Sequence, residues 1–109
     1  MRSILLLLLS LFTYSATFGF ESIAWNLESG GADVDSICKQ IDSLQKLESI
    51  EIWGFSEVKK DWKSKLIEAC GDNYQGVLGE TGRGDRLLIV FNKSYFELIR
   101  SVELDQVNT

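Results

Sequence analysis

Two apolar runs in this chain each end on a polar side chain, and an amphipathic stretch lies between them. Ile23-Ala24-Trp25 closes on Asn26. Ile52-Trp53-Gly54-Phe55-Ser56 leads to Glu57, 31 residues further on. After Asn26 come Glu28, Ser29 and the pair Gly30-Gly31, a loop signal. Asp33 reads as an N-cap. Val34, Ile37, Cys38, Ile41, Leu44 and Leu47 then recur in steps of three and four, the stripe of a half-buried helix. A strand-helix-strand unit needs about 30 residues or more, which this spacing meets. Its strands are parallel and its crossover right-handed. Asn26 and Glu57 therefore fall at one carboxyl-end edge, where open α/β sheets bind ligands. Glu57 also sits beside Ile52, Trp53, Phe55 and Val58. An ionised carboxylate among apolar groups is costly unless something pairs with it, and a metal ion is one such partner.

The remaining chain continues the alternation. Lys59-Lys60-Asp61 leads into a second helix with Trp62, Leu66, Ala69 and Cys70 on one face, stopped by Gly71. Tyr74 to Leu78 reads as a short strand, Gly79 to Asp85 as a turn with three glycines, and Arg86 to Asn92 as the strongest strand. After an Asn92-Lys93-Ser94 turn, Tyr95 to Leu104 alternates well enough for one more strand, making an antiparallel meander with the one before. Trp25, Trp53 and Trp62 read as core. Cys38 and Cys70 lie on helices that share a sheet face, and read either as one disulfide or as two buried thiols. Arg83 and Arg86 flank the glycine turn, as ordinary surface charges or as holders of a substrate phosphate. The Arg83-Gly84-Asp85 tripeptide is short enough to be chance.

The amino terminus is not part of this fold. Met1-Arg2 is a short positive segment, Ile4 to Phe12 an apolar one, and Thr17-Phe18-Gly19 a cleavage site. The apolar stretch falls short of the roughly 20 residues of a membrane span. Residues 1–19 are thus expected to be a removed signal peptide, with residues 20–109 exported as one domain. The net charge is −5, becoming −6 once Arg2 is lost. An acidic surface argues against broad, non-specific nucleic-acid binding but leaves room for a narrow phosphate site built on a cation.

Taken together, Ile23-Ala24-Trp25-Asn26-Leu27-Glu28, then Ile52-Trp53-Gly54-Phe55-Ser56-Glu57-Val58, then Gly82 to Asn92 ending in a hydrophobic strand, resemble the amino-terminal half of the endonuclease/exonuclease/phosphatase superfamily, the deoxyribonuclease I-like fold. Its members share a strand ending in Trp-Asn and a second ending in Gln-Glu or Ser-Glu followed by Val. The resemblance covers residues 21–109. It implies an α/β chain, part of a four-layer α/β sandwich: a mixed sheet with two covering helices. It also implies hydrolysis of phosphodiester or phosphomonoester bonds with Mg²⁺ or Mn²⁺. Glu57 then corresponds to a metal ligand, Asn26 to the catalytic residue that orients the carboxylate or phosphate, and Glu28 to a second acidic residue near the metal. Each has a plainer reading: Glu57 a solvated strand end, Asn26 a turn former, Glu28 a loop residue. The substrate is a phosphate ester, whether nucleic acid, phospholipid or small phosphate.

The chain departs from the family in its second half. It has no histidine, and Asp105-Gln106-Val107 does not reproduce the family's Asp-x-Asn strand. The expectation is a carboxyl-terminal half that is absent and a fragment that is inactive alone. One sheet face is then left uncovered and prone to self-association. The alternatives are a secreted non-catalytic interaction domain or a truncated reading frame of the same fold.

Overall fold

The structure is a computed structural model, describing residues 20–28, 31–82 and 85–103. The proposed leader, Ser29, Gly30, Arg83, Gly84 and residues 104–109 lie outside the described residues. Strand β1 is Ser22–Asn26, helix α1 Val34–Leu47, β2 Ile52–Val58, α2 Lys63–Cys70 after a 3₁₀ turn at Lys60–Trp62, β3 Tyr74–Leu78 and β4 Arg86–Asn92. The sheet is mixed, in the order β1-β2-β4-β3, with β1 and β2 parallel and the other pairs antiparallel. This is a small mixed α/β domain with two helices. Among the described residues no helix is long and apolar enough to cross a membrane.

Local chemistry explains the elements. Asp33 caps α1 from an extended backbone, accepting from the Asp35 N–H at 3.2 Å and the Ser36 hydroxyl at 2.9 Å. These bonds, Ser36 first, hold its carboxyl below the usual range. Leu47 departs from the expected stripe: it lies in the last turn and is exposed. Helix α2 stops at Gly71, whose φ of 143° is open to glycine alone. Gln45 then ties three elements together. Its amide accepts from Ile50 N–H at 2.7 Å and donates to the Cys70 carbonyl at 2.8 Å.

Register sorts the sheet into two unlike faces. Ile23, Trp53 and Val90 align across the strands, as do Trp25, Phe55 and Leu88. This face meets Ile37, Ile41, Leu66 and Cys70 from the helices and forms the core. Each such large side chain, fully buried, contributes about 1.5–3 kcal/mol. Gly76 lies on the same face, where a Cβ would come within 2.7 Å of Ile67 Cδ1, so its lack of a side chain lets α2 sit close. Trp53 and Trp62 are buried and Trp25 packs against the core, as expected. The cysteines are free thiols. Burial pushes Cys70 up to about 12 and raises Cys38, whose Sγ faces the Lys65 carbonyl at 3.6 Å.

The other face carries Ile52, Ile89, Phe91 and Val77, and among the described residues no helix crosses it. The expected strand over Tyr95 to Leu104 is not formed: residues 96–103 have no regular structure. Strand β4 already has β2 on one edge and β3 on the other, so it has no free edge for a meander partner. Instead the chain turns at Asn92–Tyr95 and runs back over the open face. There the Glu103 carboxylate accepts from the Glu80 N–H. Leu87 and Ile89 stay exposed, at 62% and 51%.

Candidate functional site

Parallel pairing brings the ends of β1 and β2 together. Asn26 lies opposite Ser56, and the Leu27 N–H continues the ladder to the Ser56 carbonyl at 3.0 Å. Neighbouring strands lie about 4.8 Å apart, so Asn26 and the carboxyl end of β2 share one corner. The Asn26 side-chain oxygen accepts from the Glu28 N–H at 3.1 Å, an Asx turn. Part of its role is therefore the turn-forming one, and that turn sets Glu28 at φ 53°.

The end of β2 is irregular. Phe55 pairs with Leu88, and the next pair is Val58 with Arg86, so three steps on β2 oppose two on β4. This is a one-residue bulge. Strict alternation puts Glu57 on the face of Trp53 and Phe55, in the core. The extra residue changes the parity, so Val58 is fully buried and Glu57 only half-buried. Glu57 adopts φ 55° to do this. An L-residue in that region costs about 1–2 kcal/mol. The sequence carried a signal for the bulge: Phe55 and Val58 are both apolar and three apart, which period two forbids.

The deep burial expected of Glu57 is not found. Glu57 does not need a cation to escape burial, because the bulge already lifts it from the core. What remains is a coincidence of geometry. Glu28 and Glu57 are the two non-glycine residues with positive φ among the described residues; Glu28 lies two residues past the end of β1, and Glu57 lies in β2 one residue past its last pair with β1. Such strained backbone clusters at functional sites. Arg86 reaches the same edge, opposite Val58, with Nη1 donating to the Gly79 carbonyl at 3.2 Å. Arg83 lies outside the described residues.

Two carboxylates and an amide offer oxygen donors, the kind a hard divalent cation takes. Among the described residues no group of three or more His, Cys, Asp or Glu is arranged to hold a metal. The edge offers a pair, Glu28 and Glu57, with oxygen donors only. Mg²⁺ keeps several waters and takes one or two carboxylates plus phosphate oxygens, so a pair fits it. No protein-family model matches the chain. No characterised protein matches it in sequence.

The bulge makes a specific prediction. Deleting Glu57 moves Val58 one place back, onto the face of Trp53 and Phe55 and still opposite Arg86. The deletion variant is expected to keep its fold and to unfold in urea within about 1 kcal/mol of wild type, since it also relieves the positive φ. A loss beyond about 2 kcal/mol would show that the bulge is structural.

Proposed function

We propose that the chain carries the cation-holding side of a Mg²⁺- or Mn²⁺-dependent phosphoesterase site. In this reading it belongs to the deoxyribonuclease I-like fold of the endonuclease/exonuclease/phosphatase superfamily and acts on phosphodiesters or phosphomonoesters. The observation that carries the reading is the meeting of Asn26, Glu28 and Glu57 at one sheet edge, with both carboxylates on strained backbone. Glu57 and Glu28 hold the cation, and Asn26 fixes Glu28 through its Asx turn. The cation supplies polarisation of a phosphoryl oxygen and neutralises charge that develops there. Arg86, at the same edge, adds positive charge for an anionic ester. No imidazole of this chain activates water, because the chain has no histidine. The protein is exported, with residues 1–19 removed.

Calorimetry with inorganic phosphate as the probe tests this reading. Phosphate is expected to bind only when Mg²⁺ or Mn²⁺ is present, and to lose that binding in Glu57→Gln. Equal binding with and without the cation would contradict it.

The open sheet face favours a second reading, an interaction domain. We assign that face to a second copy of the chain. Glu97 and Arg100 line the same groove as Ile89 and Phe91. In a two-fold contact each surface meets itself, so Arg100 of one copy can meet Glu97 of the other. Sedimentation is expected to show concentration-dependent dimers, abolished by Leu87→Lys with Ile89→Lys. A monomer at all concentrations would rule the dimer out.

A further inference from the structure

The opposite edge of the sheet brings three carboxylates together. Glu21 leads into β1, Glu48 caps the carboxyl end of α1 and Glu51 leads into β2. The Glu21 carbonyl accepts from the N–H groups of Glu51 at 3.0 Å and Ile52 at 3.2 Å. Its own N–H donates to Glu51 Oε2 at 3.0 Å. Its side chain is 5% exposed, yet Oε2 is buried with no hydrogen-bond partner. Burial first, then a hydrogen bond to Glu48 and the charges of Glu48 and Glu51, push its carboxyl up to about 7. The end of α1 adds the negative pole of the helix dipole. Among the described residues none of the three carboxylates is in an ion pair; the ion pairs found there are Lys46–Asp42 and Lys65–Asp35.

The sequence supplies a cation at this place. Backbone dimensions put consecutive nitrogens within about 3.7 Å of each other, so the nitrogen of Phe20 is one residue from the N–H that Glu51 Oε2 holds at 3.0 Å and no more than about 7 Å from that oxygen. Phe20 is half exposed, with its ring edge-on to Phe96 and centroids 4.9 Å apart. In the unprocessed chain that nitrogen is a neutral amide. Cleavage after Gly19 consumes one water, breaks the Gly19–Phe20 C–N bond, and leaves a carboxylate on Gly19 and an ammonium on Phe20.

We propose that Glu21, Glu48 and Glu51 form a binding site for the α-ammonium of Phe20, so that removal of the leader completes the fold. An ammonium carried by the chain brings hydrogen-bond donors as well as charge, and Glu51 Oε2 there already accepts from the neighbouring Glu21 N–H. The inference rests on the export proposed above and is independent of cation binding at the carboxyl edge.

The test uses the full chain, expressed with its leader and recovered after export. Mass spectrometry is expected to find Phe20 at the amino terminus. Selective transamination then converts the α-amine to a ketone and removes the charge. The melting temperature at pH 7 is expected to fall by about 4 °C or more, the shift that a loss of about 1 kcal/mol produces in a domain of this size. The sign of the pH dependence follows. Without the ammonium, Glu21, faced by Glu48 and Glu51, binds its proton more tightly when folded. Stability is then full below about pH 4.5 and is lost as pH rises to about 7. With the ammonium, that decline is expected to flatten. In Glu51→Gln transamination should have a smaller effect. As a readout that needs no variant, the α-amine should titrate above its ordinary value of about 8. An amino terminus other than Phe20, an unchanged melting temperature after transamination, or an equal rise with Ca²⁺ in both forms would each overturn the proposal.

Discussion

Replacing Trp53 with alanine is expected to remove about 3–5 kcal/mol of stability, the largest single effect in the domain. Trp53 is fully buried and stacks on Phe55, with ring centroids 5.6 Å apart and planes 18° apart. It stands between Ile23 on β1 and Val90 on β4, so the cavity opens in the middle of the sheet. Domains of this kind have about 5–15 kcal/mol in total, and the variant should be largely unfolded in mild urea. Phenylalanine separates volume from polarity. The Trp53 indole N–H is buried without a partner, and such a group costs about 1–3 kcal/mol. Trp53→Phe loses volume but also removes that donor, so its net change is expected to stay within about 1 kcal/mol. A Phe variant as unstable as the Ala variant would show that the indole fills a role packing does not explain.

The second large effect is expected at Glu57 and concerns ligand rather than fold. A cation that binds only the folded protein stabilises it by about 2.7 kcal/mol at a hundredfold excess over its Kd. Each kcal/mol is roughly 4–8 °C in a domain this small. Mg²⁺ or Mn²⁺ should therefore raise the melting temperature of the wild type by ten degrees or so at that excess. Glu57→Gln should abolish the rise and Glu28→Gln should reduce it. Asp42→Asn, on the exposed face of α1 where Asp42 pairs with Lys46 at 2.9 Å, should leave it intact. Metal-dependent melting that survives in Glu57→Gln would move the cation elsewhere.

Much of this architecture was legible in the residues. The stripe from Val34 to Leu44, the Asp33 cap, the Gly71 stop and the apolar run of Arg86 to Asn92 all report local physics, and each became the element expected. The parallel pairing of β1 and β2 followed from spacing alone. Two features did not follow, for different reasons. The alternation of Tyr95 to Leu104 is compatible with a strand, but a strand needs an open edge, and whether β4 has one depends on where β2 and β3 lie. That is a property of the whole sheet. The bulge at Glu57 was written in the three-residue step from Phe55 to Val58, but reading it requires knowing which face is buried. Its consequence reaches the site: the carboxylate that seemed to need a cation against burial is instead set at an edge by backbone strain. Glu21 is far in sequence from Glu48 and Glu51, and only the pairing of β1 with β2 brings it to them.

The most direct test of the central claim is where a divalent cation sits. Mn²⁺ is paramagnetic and broadens the amide signals of residues near it. In a ¹H–¹⁵N spectrum titrated with trace Mn²⁺, the signals of Asn26 to Glu28 and Ser56 to Val58 are expected to broaden first, and Glu57→Gln should remove the effect. Broadening that begins at Glu21, Glu48 and Glu51, or that spreads evenly over the acidic surface, would contradict the assignment of a cation to the carboxyl edge of β1 and β2.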